Sequence, residues 1–176
     1  MKLNKKLPIH KIIKDYPFRP ALGYIKFSNG YAYSIDSHLA IKVSYDDLFE
    51  DISDTEKEML EGKGIYYKYF EQIMKRGHVN VADEYIEIKN TCDSVRYYFA
   101  TDLKLPKIEN IFNAPRTTVQ NADDMGINIG LVERFKKVMN NPIMMINQAI
   151  GNAILVVPAM NDYDITGIIM PAYVEL

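Results

Sequence analysis

A chain of 176 residues with 48% hydrophobic and 25% charged side chains fits one soluble globular domain able to bury a real core. A net charge of -2 excludes a protein that coats nucleic acid with its whole surface, although it leaves room for a local basic patch. The single cysteine, Cys92, excludes an internal disulfide framework and a cysteine-built metal site, as expected for a protein of the reducing cytoplasm.

The first segment, Met1 to Lys6, has the basic start of a signal peptide, but Pro8, His10, Lys11 and Lys14 interrupt the apolar stretch that should follow. No segment approaches the roughly 20 apolar residues of a membrane helix, so a cytoplasmic location without membrane partners is expected. Ile9, Ile12, Ile13 and Tyr16 fall at helical spacing and predict a helix over residues 8–16. Strands are predicted over Gly23 to Phe27, Tyr31 to Ile35 and Leu39 to Val43. Asn29-Gly30 joins the first two as a hairpin turn, because both residue types accept the positive φ that a type I′ turn demands.

Asp46 to Glu58 is acidic and reads as a solvated connector, with Ser53 or Asp54 capping a short helix to about Leu60 before Gly62 and Gly64. The pattern then recurs. Tyr66, Phe70, Ile73 and Met74 predict a helix over 66–76, followed by strands at His78 to Val81, Tyr85 to Lys89 and Ser94 to Ala100. Leu105 to Asp124 has weak periodicity, two prolines and many polar residues, and reads as a second long crossover. A third copy follows. Leu131, Phe135, Val138 and Met139 predict a helix over 129–140, with strands at Ile143 to Asn147, Ala153 to Val157 and Thr166 to Met170.

Recurrence at about sixty residues predicts an α+β fold of repeated helix-plus-antiparallel-strands units, approximately 1–47, 62–105 and 125–176, in a single domain. The simplest packing is one continuous antiparallel sheet with the three helices on one side, and Ile12, Phe70 and Phe135 facing it.

Charge separates the helices from the remainder. The three helices carry Lys11, Lys14, Lys68, Lys75, Arg76, Arg134, Lys136 and Lys137 against Asp15, Glu71 and Glu133, a net of +5 on a chain of net -2. With their apolar stripes inward, these cations form a positive surface that tracks a phosphate backbone without reading sequence, and the expected partner is double-stranded DNA. Solvation alone also accounts for lysines on a helix exterior. Tyr66, Tyr67, Tyr69, Tyr97 and Tyr98, beside Lys68 and Arg96, are candidates either for stacking on bases or for core and rim packing.

The last segment, Gly167-Ile-Ile-Met-Pro-Ala-Tyr-Val-Glu-Leu176, is similar to the closing strand and tail of bacterial DNA polymerase sliding clamps. Phe27 to Asp36 followed by His38 to Val43 resembles the clamp hairpin that leads to an Ala/Ser-x-Asp turn and a further apolar strand. Ile127 to Val138 resembles the segment that enters a pore-facing clamp helix. The resemblance implies a sliding-clamp-like DNA replication or repair factor, a processivity factor rather than an enzyme, with DNA polymerase or other replication proteins as partners. It also implies a client pocket near Met170, Pro171 and Leu176, although Ala172, Tyr173 and Glu175 depart from the usual tail. Clamp rings close with twelve such units, so three units imply a homo-oligomer: a tetramer, a hexamer if one copy is degenerate, or no ring. The alternative reading is a clamp mimic from a mobile element, a protein-interaction module without DNA affinity.

Catalytic patterns are thin, and no cofactor is expected. Ser34, Asp36, Ser37 and His38 have the residue types of a hydrolytic triad, but adjacent residues on an extended segment point to opposite faces, so a turn is expected there. His10, His38 and His78 lie in different copies without metal-ligand spacing, and Asp46-Asp47 and Asp123-Asp124 lack the alternating ligands of a calcium loop. Cys92 has only Arg96 as a nearby cation and is no activated thiolate.

Overall fold

The computed structural model describes residues 1–14, 18–76, 78–89, 93–103, 108–113, 125–145, 153–160, 162–170 and 172–173. Strand β1 (Lys2–Leu3) precedes two 3-10 turns, Ile9–Ile12 and Pro20–Gly23. Strands β2 (Tyr24–Ser28), β3 (Tyr31–Ile35) and β4 (Leu39–Ser44) lead to α1 (Tyr45–Leu48), β5 (Phe49–Glu50) and α2 (Asp54–Leu60). Strand β6 (Gly64–Tyr66) opens directly into α3 (Tyr67–Arg76), followed by β7 (Asn80–Val81), β8 (Tyr85–Lys89) and β9 (Ser94–Tyr98). After α4 (Ile108–Phe112) come β10 (Met125–Gly126), α5 (Ile129–Phe135), β11 (Pro142–Met145), β12 (Ile154–Pro158), β13 (Ile165–Ile169) and β14 (Ala172–Tyr173).

The hairpin forms where turn chemistry demands it. Asn29 and Gly30 adopt φ of 51° and 77°, and their N–H groups donate to the Glu61 carboxylate at 2.7 and 2.8 Å. Seven strands make one antiparallel sheet in the order β11-β12-β13-β4-β3-β2-β6. Because successive side chains alternate faces, this sheet carries two cores. Ile25, Phe27, Ile41, Val43, Val156 and Ile169 pack with Ile12, Phe70, Ile73, Phe135 and Val138 on one face. Tyr33, Ile35, Ala40, Leu155 and Ile168 meet Leu22 and Phe112 of α4 on the other. The second face is closed by a Lys26–Glu109 ion pair at 2.5 Å and by Lys42 lying 4.5 Å from the Tyr31 ring centroid.

Ile12, Phe70 and Phe135 are all fully buried against the same face, as their spacing predicts. Three expectations are corrected. The strands β7-β8-β9 form a separate three-stranded sheet, tied to β6 among the described residues through the Gly64↔Ala100 bridge, so the sheet is not continuous across the three copies. The first helix is only the 3-10 turn Ile9–Ile12: Pro8 offers no side-chain cap, and β-branched Ile13 turns extended at φ -75°, ψ 135°. The third ends at Phe135, and residues 136–138 continue as turns before Asn141 takes φ 47° ahead of Pro142.

The acidic connector is also more than solvated chain. Ser53 and Glu56 form a full capping box on α2, but Tyr45, Leu48 and Phe49 are buried core residues, and β5 pairs with β1. In the second crossover, α4 supplies Phe112 to the lesser core; residues 104–107 and 114–124 lie outside the described residues, as does Cys92.

Gly167 of β13 explains how α5 sits so close. A Cβ there would lie 2.1 Å from Cε1 of Phe135. Gly167→Ala should therefore lower stability by about 1–3 kcal/mol, the usual range for overpacking. Phe135→Leu in the same background should recover part of that loss, and urea unfolding of the single and double variants measures both effects.

Candidate functional site

Helix α3 buries Phe70, Ile73 and Met74 at i, i+3 and i+4, which turns Lys68, Tyr69, Gln72, Lys75 and Arg76 outward. Lys75 pairs with Glu71 at 2.9 Å one turn earlier, and this hydrogen bond holds the Glu71 carboxyl below the usual carboxylate range. Lys5 donates to the Lys75 carbonyl at 3.2 Å, placing another cation at the negative end of the helix. The turn Ile9–Ile12 contacts both α3 and α5, and Lys11 and Lys14 stay exposed. Its His10 is buried beside Phe70, and burial keeps the imidazole pKa below the ordinary value.

Helix α5 starts at Asn128, whose side chain accepts from the Gly130 N–H at 2.9 Å. Glu133, Lys136 and Lys137 are exposed, but Arg134 is not. It is 8% exposed, and its guanidinium is ion-paired with the fully buried side chain of Asp36. The expectation that Arg134 joins an exposed basic face is thus corrected. Its position was readable: it falls three residues after Leu131 and four before Val138, on the inward stripe. Asp36 also accepts from Ser37 Oγ at 3.0 Å, so Asp36 is a buried anchor for α5 at the end of a turn whose Ser37 is half-buried and His38 exposed.

Seven of the eight predicted cations, Lys11, Lys14, Lys68, Lys75, Arg76, Lys136 and Lys137, are exposed on segments that cover one face of the main sheet. Met170 directly follows β13, is 37% exposed, and donates its N–H to the His38 carbonyl at 2.8 Å. Pro171 and Leu176 lie outside the described residues. Tyr173 of β14 pairs with Met125 of β10, tying the chain after β13 to the segment that leads into α5. At the opposite end of β13, Leu7, Val138, Met139, Met160, Tyr163 and Ile165 help line a cavity of about 430 Å³ that does not include Met170.

The tyrosines divide between packing and surface. Tyr24, Tyr66, Tyr69 and Tyr97 form a connected series with ring centroids 5.6, 5.5 and 5.2 Å apart. Lys68 Nζ lies 5.8 and 5.5 Å from the Tyr66 and Tyr67 centroids. Arg96 sits 4.7 Å over Tyr85 and donates to Glu87 at 3.0 Å. Among the described residues, no group of three or more His, Cys, Asp or Glu is placed to hold a metal, and no helix is long and apolar enough to cross a membrane.

No protein-family model and no curated protein matches this chain. Solved structures do match. The DNA polymerase III subunit beta of Borrelia burgdorferi aligns at TM-score 0.68 and 10% identity, covering 99% of this chain and 64% of that one. The sliding clamp of Bartonella birtlesii aligns at 0.64 and 12%, covering 97% and 64%, and the beta subunit of Streptococcus pyogenes at 0.58 and 12%, covering 99% and 66%. The chain therefore spans about two thirds of the length of these subunits and has the sliding-clamp fold.

The buried pair sets the prediction for this region. Arg134→Ala removes the guanidinium that neutralises the buried Asp36 carboxylate and should cost about 3–5 kcal/mol, whereas Lys136→Ala should stay within about 0.5 kcal/mol. Chemical denaturation of the two variants compares them directly.

Proposed function

We propose that this protein is a sliding-clamp-like replication or repair factor, not an enzyme, that binds duplex DNA without sequence preference. The reading rests on one observation above others: a clamp fold in which the segments covering one face of the main sheet carry seven exposed cations. Lys11, Lys14, Lys68, Lys75, Arg76, Lys136 and Lys137 would contact phosphates, releasing counterions and needing no base contact. Arg134 is left out of that set, because its charge is spent within the core on Asp36. Self-association into an oligomer is proposed as the way in which it would enclose a duplex. Met170, Pro171 and Leu176 are proposed to border the contact for a polymerase or another replication protein.

Replacing Lys68, Lys75, Arg76, Lys136 and Lys137 together with glutamine should weaken duplex binding and lower the slope of log affinity against log salt by about 0.9 for each phosphate that is no longer neutralised. The variant should melt like the wild type, since each exposed substitution shifts stability by only about 0.5 kcal/mol. Fluorescence anisotropy across a salt series, with the assembly mass from sedimentation at the same protein concentration, provides the measurement. Wild-type protein that ignores duplex DNA even at low salt would leave the protein-interaction module as the better reading, in keeping with the net charge of -2.

A further inference from the structure

The tyrosine series on α3 is not absorbed by duplex binding. Tyr69 is 45% exposed on the outer side of its helix, and it meets Tyr66 of β6 at 5.5 Å and Tyr97 of β9 at 5.2 Å between ring centroids. Tyr24 extends the series onto β2, and Tyr24, Tyr66 and Tyr97 are each partly exposed. The rings thus span the joint between the seven-stranded sheet and the separate sheet β7-β8-β9. They also lie in line with charge: Tyr69, Gln72, Lys75 and Arg76 share the outward face of α3, with Glu71 as the helix's one carboxylate.

We infer that this strip is a binding site for single-stranded nucleic acid, with bases stacking on Tyr69 and its neighbours and the phosphate backbone running past Lys75 and Arg76. The physical case is the pairing of the two features. Aromatic rings accept any base through its π-face, and adjacent cations neutralise the backbone, which together give affinity without sequence preference. A proline-rich peptide would also use exposed aromatics, but it gains nothing from the cations further along the helix. The inference goes beyond duplex binding and does not depend on ring closure.

The test is anisotropy of a labelled oligo(dT) 12-mer with wild type, Tyr69→Leu and Tyr69→Phe, alongside tyrosine emission of the wild type during the titration. Wild type should bind at low salt with quenched tyrosine emission. Tyr69→Leu should bind about tenfold more weakly, Tyr69→Phe should bind like wild type, and duplex binding should be the same in all three. Equal affinity of the leucine variant, equal losses in the leucine and phenylalanine variants, or binding without quenching would overturn the proposal. So would decaproline binding that depends on the Tyr69 ring while oligo(dT) does not bind. The wild-type quenching experiment decides the matter even if Tyr69→Leu folds poorly.

Discussion

The structure depends on the antiparallel pairing of β4 with β13, in register from Val43↔Ile165 to Leu39↔Ile169. This joins strands from opposite ends of the chain and makes one seven-stranded sheet of what would otherwise be two short ones. The closure entropy of so long a loop grows only slowly with length, and burial of Ile41, Val43, Ile165 and Ile169 on one face offsets it. The Met170 to His38 backbone bond extends the pairing past the end of β13. The Ile9–Ile12 turn packs on β4 and α5 packs on β13, so both lie over this seam.

Two local contacts then set the place of α5. Gly167 provides the gap in β13 that the Phe135 ring fills, and Asp36, just beyond β3, captures Arg134. A ring in a gap fixes distance, while a buried ion pair fixes rotation, because the guanidinium must meet the carboxylate once both have left water. With α5 held in this way, Lys136 and Lys137 emerge on the same side as the outward residues of α3. The basic surface is therefore a consequence of the core: each apolar side chain that turns inward leaves its polar helical neighbours outside.

The likeness to clamp subunits at 10–12% identity has the same origin. Such a fold asks for alternating strands, amphipathic helices and a few small residues at close approaches, and many sequences satisfy that pattern. The separate sheet β7-β8-β9 shows how far the pattern can loosen. Its Ile86 and Ile88 still reach the main core, although among the described residues one bridge connects it to β6.

Local chemistry alone determined much of this protein. The Asn29-Gly30 turn, the Ser53 cap, the inward Phe70 and Phe135 and the positions of most strands follow from backbone preference and side-chain period, which act over a few residues. The same period made seven exposed cations legible. Tertiary structure decided the rest, because it depends on which distant segments meet. The first helix shrank to a turn once Ile13 was drawn into extended chain, and Leu48 and Phe49 left an acidic stretch for the core. Arg134, read as a surface cation, was claimed by Asp36. A charged side chain on a helix is equally at home in water or against a buried partner, and only the fold supplies the partner.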